Sequence, residues 1–328
     1  MNRHDVEWSG YWPAAPTPFA ADGSVDHAAL TQLMELYVAQ GVHGVLINGS
    51  TGEWFSQSPE ERRAVAETAI AAVAGRIPVV IGVTEYTAGA ASALARHAAS
   101  AGADGVLATP PPYVHPSADE IVAFYGTVSE ATDLPFMAYN WPRGAAVDMA
   151  HIPGLMRRIA DLPQVAAIKD STGDWNAMVS TVEAVSESVR VFGSLTHRKG
   201  MALMLGLGGD GAIDGGGVGA PYGVPFFDAV RAGDAELARY WVDKYQAISG
   251  RLIAPDYAGL FASPISQLKT AMALLEQPGG ALREPLLPLR DAESIRAIAQ
   301  ILREAGLVVR DAQLAHVIAD AEPAGALR

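Results

Sequence analysis

The residue with the most distinctive chemistry in this sequence is Lys169, which closes the apolar segment Val165–Lys169. An ammonium group at the end of a buried strand is costly to desolvate, so its pKa should fall and leave a share of free amine. A free amine can attack a carbonyl carbon. The alternative is a lysine that reaches solvent or pairs with a carboxylate, for which Asp170 is the nearest candidate. Taken alone, a lysine of this kind favours the alternative.

Two further features could act together with this lysine. Tyr139 ends another apolar segment, where its phenol could donate or relay a proton, although a tyrosine that closes a strand more often belongs to the core. In the turn that begins at Gly49, the hydroxyls and amides of Ser50 and Thr51 could converge on a small anion such as a carboxylate. An ordinary glycine-rich turn explains this segment equally well. Together with Lys169, however, the three features predict one cavity with an amine nucleophile, a phenol and a carboxylate site.

These side chains need a scaffold that brings several strand ends together, and the sequence pattern predicts one. Eight short apolar segments alternate with longer segments of helical periodicity, which favours a (β/α)8 barrel. In such a barrel the active site lies at the carboxyl ends of the strands. The predicted strands are Tyr11–Ala15, Gly44–Asn48, Pro78–Val83, Gly105–Thr109, Pro135–Asn140, Val165–Lys169, Val189–Phe192 and Gly211–Asp214.

The helices between the strands have recognisable start and stop signals. Ser58 followed by Pro59 and by Glu61 predicts a capped helix start, and Gly75 predicts its end. After the last strand we expect only helices, so we divide the chain into a barrel over residues 1–225 and a C-terminal helical extension over residues 226–328. The predicted helices of the extension are Phe226–Arg231, Ala235–Gly250, Pro264–Leu275 and Ala292–Ala305, followed by a weakly held helix or tail at Val308–Arg328.

Composition excludes several classes of function. The 328 residues include no cysteine, so thiolate catalysis and sulfur-ligated metal sites are ruled out. The eight histidines contain no i,i+4 pair, and the pattern Gly206–Gly211 precedes a strand, so neither a metal nor a dinucleotide cofactor is predicted. The formal net charge of −13 disfavours nucleic acid and acidic membranes as partners. No signal peptide or long apolar run is recognised, and we expect a soluble cytoplasmic protein.

Three motifs together resemble the dihydrodipicolinate synthase and N-acetylneuraminate lyase superfamily. They are Gly49–Glu53, Tyr139–Pro142 and Ile168–Gly173, and the resemblance runs from about residue 10 to about residue 250. It implies a (β/α)8 barrel with a C-terminal helical extension, usually assembled as a tetramer. We therefore expect a homotetramer or a homodimer.

The resemblance also implies roles for individual residues. Lys169 would form a Schiff base with the ketone of pyruvate or another 2-keto acid, and Tyr139 would move protons. Ser50 and Thr51 would bind the carboxylate of the keto acid, with Ser50 also in the proton relay. Tyr113 resembles a tyrosine that some members contribute to the relay of a neighbouring subunit. Tyr113 is equally well explained as a loop aromatic.

Substrate recognition differs from the familiar members. Lysine-pathway synthases often carry an arginine five residues after the catalytic tyrosine, whereas this sequence has Gly144 there and Arg143 one position earlier. The acidic pair of the sialic acid lyases is also missing after strand seven. We expect Arg143, His197 and Arg198 to select the second substrate. We interpret the glycine run from Gly215 as keeping bulky side chains away from the imine.

The residues and the resemblance leave three candidate functions. The leading hypothesis is a metal-independent Schiff-base lyase, aldolase or synthase that acts on pyruvate or a 2-keto acid. The second is a 2-keto-3-deoxy sugar acid dehydratase or aldolase of the same family. The third is a catalytically silent barrel that binds a small molecule, and the presence of both Lys169 and Tyr139 argues against it.

Overall fold

The computed structural model of the chain describes residues 1–321, and its centre is a closed barrel of eight parallel strands in sequential order. The predicted (β/α)8 barrel is therefore confirmed, and each predicted strand agrees with an observed strand to within about two residues at either end. The strands are β1 (Gly10–Ala14), β2 (Val45–Ile47), β3 (Val79–Gly82), β4 (Gly105–Ala108), β5 (Phe136–Asn140), β6 (Val165–Asp170), β7 (Arg190–Gly193) and β8 (Gly211–Gly215).

Helices connect successive strands on the outside of the barrel and continue beyond β8. None of the described helices is both long and apolar enough to cross a membrane. The helices are α1 (His27–Ala39), α2 (Pro59–Val73), α3 (Ala88–Ala101), α4 (Ala118–Ser129), α5 (Pro142–Ala145), α6 (Leu155–Ala160), α7 (Trp175–Val185), α8 (Arg198–Gly206), α9 (Ala220–Arg231), α10 (Ala235–Leu252), α11 (Pro264–Leu274), α12 (Ala292–Glu304) and α13 (Asp311–Ala321).

Local sequence signals explain where these helices begin. The Ser58 side chain accepts a hydrogen bond from the Glu61 backbone, and the Glu61 side chain accepts one from the Ser58 backbone, which is the reciprocal cap predicted for α2. The end of α2 differs slightly from the prediction. Ala74, one residue before Gly75, already adopts the left-handed conformation with φ 52° and terminates the helix.

Alternation along the strands separates an inner core from an outer one. Trp12 and Phe192 belong to the cluster inside the barrel, where their ring centroids are 5.3 Å apart. Ile168 belongs to the cluster between the sheet and the helices. Because neighbouring side chains on a strand face opposite sides, Lys169 is directed into the barrel and Asp170 toward the surrounding helices.

The extension differs from the prediction at both ends. The helix predicted for Phe226–Arg231 begins six residues earlier, at Ala220, and packs against β1 as the eighth outer helix of the barrel. Residue 225 therefore lies inside a helix, and we propose that the division between barrel and extension falls after Arg231. The predicted tail, Val308–Arg328, contains α13, and its residues 322–328 lie outside the described residues.

Candidate active site

The carboxyl ends of the strands open into a cavity of about 770 Å³ that is closed on one side by the C-terminal extension. Most of the predicted site residues line it, together with side chains from α10 and α11. The predicted residues that line the cavity are Ser50, Thr51, Tyr139, Arg143, Lys169, His197 and Gly215.

Lys169 is a buried amine that lacks a carboxylate partner. Its exposed fraction is 6%, and its Nζ lies 4.1 Å from the centroid of the Tyr139 ring. No acidic group of residues 1–321 comes within ion-pair distance of this nitrogen. Burial lowers the pKa of Lys169 from 10.5 to about 7, and the negative charge of Asp214 opposes part of this shift. A substantial fraction of the side chain is therefore free amine near neutral pH.

Asp170 is not the partner of Lys169, because it faces the opposite side of β6. Its carboxylate accepts hydrogen bonds from Asn140 Nδ2 at 2.8 Å and from Thr181 Oγ1 at 2.8 Å. The Thr172 amide donates a third bond at 3.0 Å. Asp170 thus ties the ends of β5 and β6 to α7, and the ion-paired interpretation of Lys169 does not apply.

Lys269 is a second buried lysine, and its surroundings are the reverse of those of Lys169. Its Nζ lies 2.6 Å from Glu53 Oε1, and the two side chains are 4% and 0% exposed. The same nitrogen donates to the carbonyl oxygens of Thr17 at 2.8 Å and Ala281 at 2.6 Å. Lys269 therefore joins the extension to the turn Gly49–Glu53, and its amine is held by these contacts.

We expect Lys269→Met to lower the free energy of unfolding by about 3–5 kcal/mol, because it leaves the Glu53 carboxylate buried without a counter-charge. Denaturant titration of the purified protein measures this change. The double variant Glu53→Gln/Lys269→Met should recover part of the loss, since neither charge then remains. Lys199→Met, at an exposed position, is the control and should stay within about 0.5 kcal/mol of the unmodified protein. A loss below about 1 kcal/mol at Lys269 would contradict the prediction.

Tyr139 is a buried phenol that holds its proton more strongly than an exposed tyrosine does. Burial raises the pKa of its phenol well above the usual value, while the hydroxyl of Ser171 acts in the opposite direction. The ring stacks on Trp141 with centroids 5.9 Å apart and planes at 23°. Tyr139 can therefore present a fixed proton donor beside Lys169. Ser171 was not among the predicted site residues, although it directly follows the motif residues Lys169 and Asp170.

The turn after β2 presents several free donors to the cavity. The amide of Gly52 bonds to the Gly49 carbonyl at 3.0 Å, and the amide of Glu53 bonds to the Ser50 carbonyl at 3.1 Å. Within the described chain, the amides and hydroxyls of Ser50 and Thr51 have no hydrogen-bond partner. Gly49 packs closely on Leu46, because a Cβ atom at this glycine would lie 3.1 Å from Leu46 Cδ2. These four donors, which lack a hydrogen-bond partner, can together bind a carboxylate.

Two residues that were not predicted from the sequence complete the surroundings of the amine. Asp214, which ends the predicted eighth strand, accepts hydrogen bonds from Tyr245 Oη and from Thr196 Oγ1. Tyr257 comes from a loop of the extension, and burial raises its pKa to about 12. Both border a recess of about 30 Å³ beside Lys169, which is large enough for one water molecule. Asp214 could have been found as a charged strand end, whereas no local signal identifies Tyr257.

The residues expected to select the second substrate are separated by the structure. Arg143 lines the cavity and lies 3.4 Å from Asp256. His197 caps α8 by accepting a bond from the Gly200 amide, and burial lowers its pKa. Arg198 is 63% exposed and makes a two-pronged ion pair with Asp243 at 2.8 and 2.6 Å, outside the cavity. The expectation for Arg198 is therefore corrected, because the first turn of α8 directs this side chain toward α10.

Gly215 lines the cavity. A Cβ atom at this position would lie 3.8 Å from Thr51 Oγ1, so a side chain here would occupy space inside the cavity. That this glycine keeps bulk away from the imine stays a prediction. The close approaches occur further along the run. A Cβ at Gly217 would lie 2.3 Å from the Tyr37 ring, and one at Gly219 would lie 2.4 Å from the Tyr245 ring. Gly217 and Gly219 therefore serve the packing of the loop after β8.

Tyr113 does not contribute to the cavity of its own chain. It is 85% exposed, in a left-handed backbone conformation with φ 79°. A role in a neighbouring subunit stays a prediction. As for metals, no group of three or more histidine, aspartate or glutamate side chains within residues 1–321 is arranged to hold an ion.

A family profile and the sequences of known proteins point to the same family. A family profile described as the Dihydrodipicolinate synthetase family matches residues 7–305. An uncharacterized DapA-like lyase of Rhizobium meliloti is 33% identical over 291 residues, covering 88% of this chain and 93% of the relative. A 4-hydroxy-tetrahydrodipicolinate synthase of Phenylobacterium zucineum is 32% identical over 306 residues, covering 93% and 99% of the two chains.

Solved structures agree with these relatives. The dihydrodipicolinate synthase of Thermotoga maritima superposes with a TM-score of 0.83 at 26% identity, covering 92% of this chain and all (100%) of that one. A chloride-inhibited dihydrodipicolinate synthase of Acinetobacter baumannii, solved in complex with pyruvate, has a TM-score of 0.79 at 26% identity and covers 92% and 99%. The similarity thus extends over the barrel and most of the extension.

Proposed function

The chain belongs to the Dihydrodipicolinate synthetase family and is a lyase, and from this premise we propose that it forms a Schiff base between Lys169 and pyruvate or a related 2-keto acid. The observation that carries the proposal is the unpaired, buried Lys169 beside Tyr139 at the base of the cavity. The complex of the Acinetobacter baumannii relative with pyruvate supports the choice of keto acid. The protonated imine accepts the electrons, so the reaction requires no metal.

In the first step the keto acid binds with its carboxylate at the turn after β2. The amides and hydroxyls of Ser50 and Thr51 hold the carboxylate, which places the ketone carbon near Lys169 Nζ. The free amine attacks this carbon and forms a carbinolamine. Tyr139 supplies the proton with which the carbinolamine oxygen leaves as water, and a protonated imine remains.

In the second step the imine activates the neighbouring carbon. The Tyr139 phenolate takes a proton from C3 of the bound pyruvate, and an enamine forms because the imine nitrogen withdraws the electron pair. The enamine carbon forms a bond to the carbon of a second carbonyl compound, whose oxygen takes up a proton from Tyr139. One water molecule then hydrolyses the imine, releasing the product and the Lys169 amine. The proton released when the imine is hydrolysed returns to Tyr139. The reverse sequence cleaves the same bond.

Trapping the imine tests the proposal. Borohydride added in the presence of pyruvate should reduce the imine to a stable amine, and peptide mass analysis should find one reduced three-carbon unit on the peptide that contains Lys169. The chain has only four lysines, at positions 169, 199, 244 and 269, so the assignment is unambiguous. Absence of any pyruvate-dependent label, in protein that remains folded, would overturn the proposed function.

The pH dependence of imine formation follows from the surroundings of the amine. Because only the free amine attacks, kcat/KM for pyruvate should rise with pH and level off above a midpoint of about 7, the pKa of Lys169. Asp214 favours the ammonium form, so Asp214→Asn should move this midpoint to lower pH. Trapping rates between weakly acidic and weakly basic pH measure it. Asp243→Asn, at the protein surface, is the control, and an upward shift in Asp214→Asn would contradict the prediction.

Arg143 and Arg198 should differ in their effect on aldehyde substrates. Arg143 lines the cavity but is partly exposed, so its contact with a carboxylate is worth about 1 kcal/mol. Arg143→Ala should therefore raise KM for carboxylate-bearing aldehydes about fivefold. Arg198→Ala should leave KM unchanged, since this side chain pairs with Asp243 outside the cavity. Steady-state kinetics decide between them, and equal effects of both variants would refute the distinction.

Assembly is a further part of the proposal. The exposed Tyr113, followed by the exposed Val114, is a suitable contact for a second copy of the chain. We propose a homotetramer or a homodimer in which Tyr113 approaches the proton relay of its neighbour. The mass of the protein in solution, measured with the unmodified chain and with Tyr113→Phe, tests this arrangement.

A further inference from the structure

Resting on the proposed function, we propose that the second substrate is an aromatic aldehyde, whose ring lies against the indole of Trp141 while its carbonyl group meets the pyruvate enamine at Lys169. The proposal rests on the shape and chemistry of the cavity wall formed by the loops after β5, β6 and β7. This wall lies beside the keto acid site and is therefore where the second carbonyl compound must bind.

The Trp141 ring is held in place from three sides. Its face stacks on Tyr139 at 5.9 Å, and its centroid lies 5.5 Å from that of Tyr257, whose ring meets it edge-on at 67°. On the third side is Gly144, where a Cβ atom would lie only 2.3 Å from Trp141 Cδ1. No side chain fits at position 144 while the indole stays in place. The wall beside the catalytic phenol is therefore a fixed aromatic surface.

A second aromatic pair lines the same cavity. Trp175, at the start of α7, and His197, at the cap of α8, have ring centroids 5.0 Å apart and planes at 64°. Burial lowers the pKa of His197, which favours the uncharged imidazole. Met178 of α7 adds a polarisable thioether to this side. Flat apolar rings prefer such surroundings, because stacked and edge-on contacts add to the gain from burial.

The wall is not purely apolar, because the hydroxyls of Ser171, Thr172, Ser194 and Thr196 line the loops after β6 and β7. The donors that can bind a carboxylate lie on the turn after β2, whereas Trp141 and Trp175 follow β5 and β6 across the barrel. Among the described lining residues, Arg143 is the only cation besides Lys169, and it is already paired with Asp256. The volume of about 770 Å³ is within the range of pockets that enclose ring-containing ligands.

The reaction balances without any further reagent. C3 of the enamine forms a bond to the aldehyde carbon, the aldehyde oxygen gains a proton, and one water molecule hydrolyses the imine. The product is a 4-aryl-4-hydroxy-2-oxobutanoate, and the Lys169 amine is regenerated. The reverse reaction releases the aromatic aldehyde and pyruvate.

The test compares aldehydes of different shape in the presence of pyruvate. Benzaldehyde, butanal and glyoxylate are offered separately, and the aldol products are measured by liquid chromatography and mass spectrometry. We expect kcat/KM for benzaldehyde to exceed that for butanal and for glyoxylate by about tenfold or more. A preference for butanal or glyoxylate would overturn the aromatic assignment. Trapping of pyruvate at Lys169 is measured in the same samples, so an absent label identifies failure of the proposed function and overturns both.

Variants of Trp141 locate the preference on the proposed surface. Trp141→Leu keeps an apolar side chain but removes the flat ring, so the benzaldehyde-to-butanal ratio should fall about fivefold. Trp141→Phe retains a ring and should preserve more of the ratio than the leucine variant does. Tyr240→Leu, an exposed aromatic outside the cavity, is the matched control. A ratio unchanged in Trp141→Leu overturns the proposal, and if that variant does not fold, Trp175→Leu provides the same test.

Discussion

Replacing Lys169 with alanine should lower kcat/KM for pyruvate by about 10⁴-fold or more and remove the borohydride-trapped adduct. The effect is large because the amine is the group that becomes covalently attached, and no other side chain among the described residues that line the cavity can replace it. Arg143, the other cation of the described lining, carries a guanidinium group, which offers only hydrogen-bond donors and cannot act as a nucleophile. Turnover assays together with peptide mass analysis measure both losses.

The matched control is Lys199→Ala, which removes an exposed lysine and should retain the adduct. Lys269 is the alternative site for the adduct, since it is the other buried lysine. Its pKa is also lowered by burial, but Glu53 holds it in an ion pair away from the cavity. An adduct that persists in Lys169→Ala, on Lys269 or on any other residue, would contradict the assignment.

Replacing Tyr139 with phenylalanine should lower kcat by about 10²-fold to 10⁴-fold, which is the usual loss when a positioned acid–base group is removed. Phenylalanine keeps the ring that stacks on Trp141 and packs in the barrel interior, so the protein should remain folded. What disappears is the hydroxyl of the ring that packs against Lys169, and with it the proton for the departing carbinolamine oxygen. Single-turnover trapping with pyruvate should slow together with kcat.

A second tyrosine serves as the control for this variant. Tyr37→Phe also deletes a buried hydroxyl, but Tyr37 lies outside the cavity, so its effect reports stability alone. Thermal unfolding of both variants separates loss of structure from loss of chemistry. An unchanged kcat in Tyr139→Phe would remove this phenol from the mechanism.

Positions 143, 197 and 198 illustrate how much of the site a sequence pattern can predict. All three were expected at the mouth of the barrel, because loops after the strands converge there. The structure places Arg143 and His197 at the cavity and directs Arg198 to Asp243 on α10. The direction of a side chain in the first turn of a helix depends on the partner it meets. That partner comes from another part of the chain.

Local sequence was sufficient to predict the barrel and its two principal chemical groups. Strands and helices are encoded by periodicity and by caps such as Ser58 with Glu61, and position at a strand end already predicted that Lys169 and Tyr139 would face one cavity. Which polar groups remain free became visible only in the folded chain. Glu53 neutralises Lys269, Lys169 keeps no acid partner within residues 1–321, and Tyr257 arrives from the extension. These contacts join residues that are far apart in the chain. They depend on how the helices pack over the barrel, and this packing cannot be predicted from local sequence.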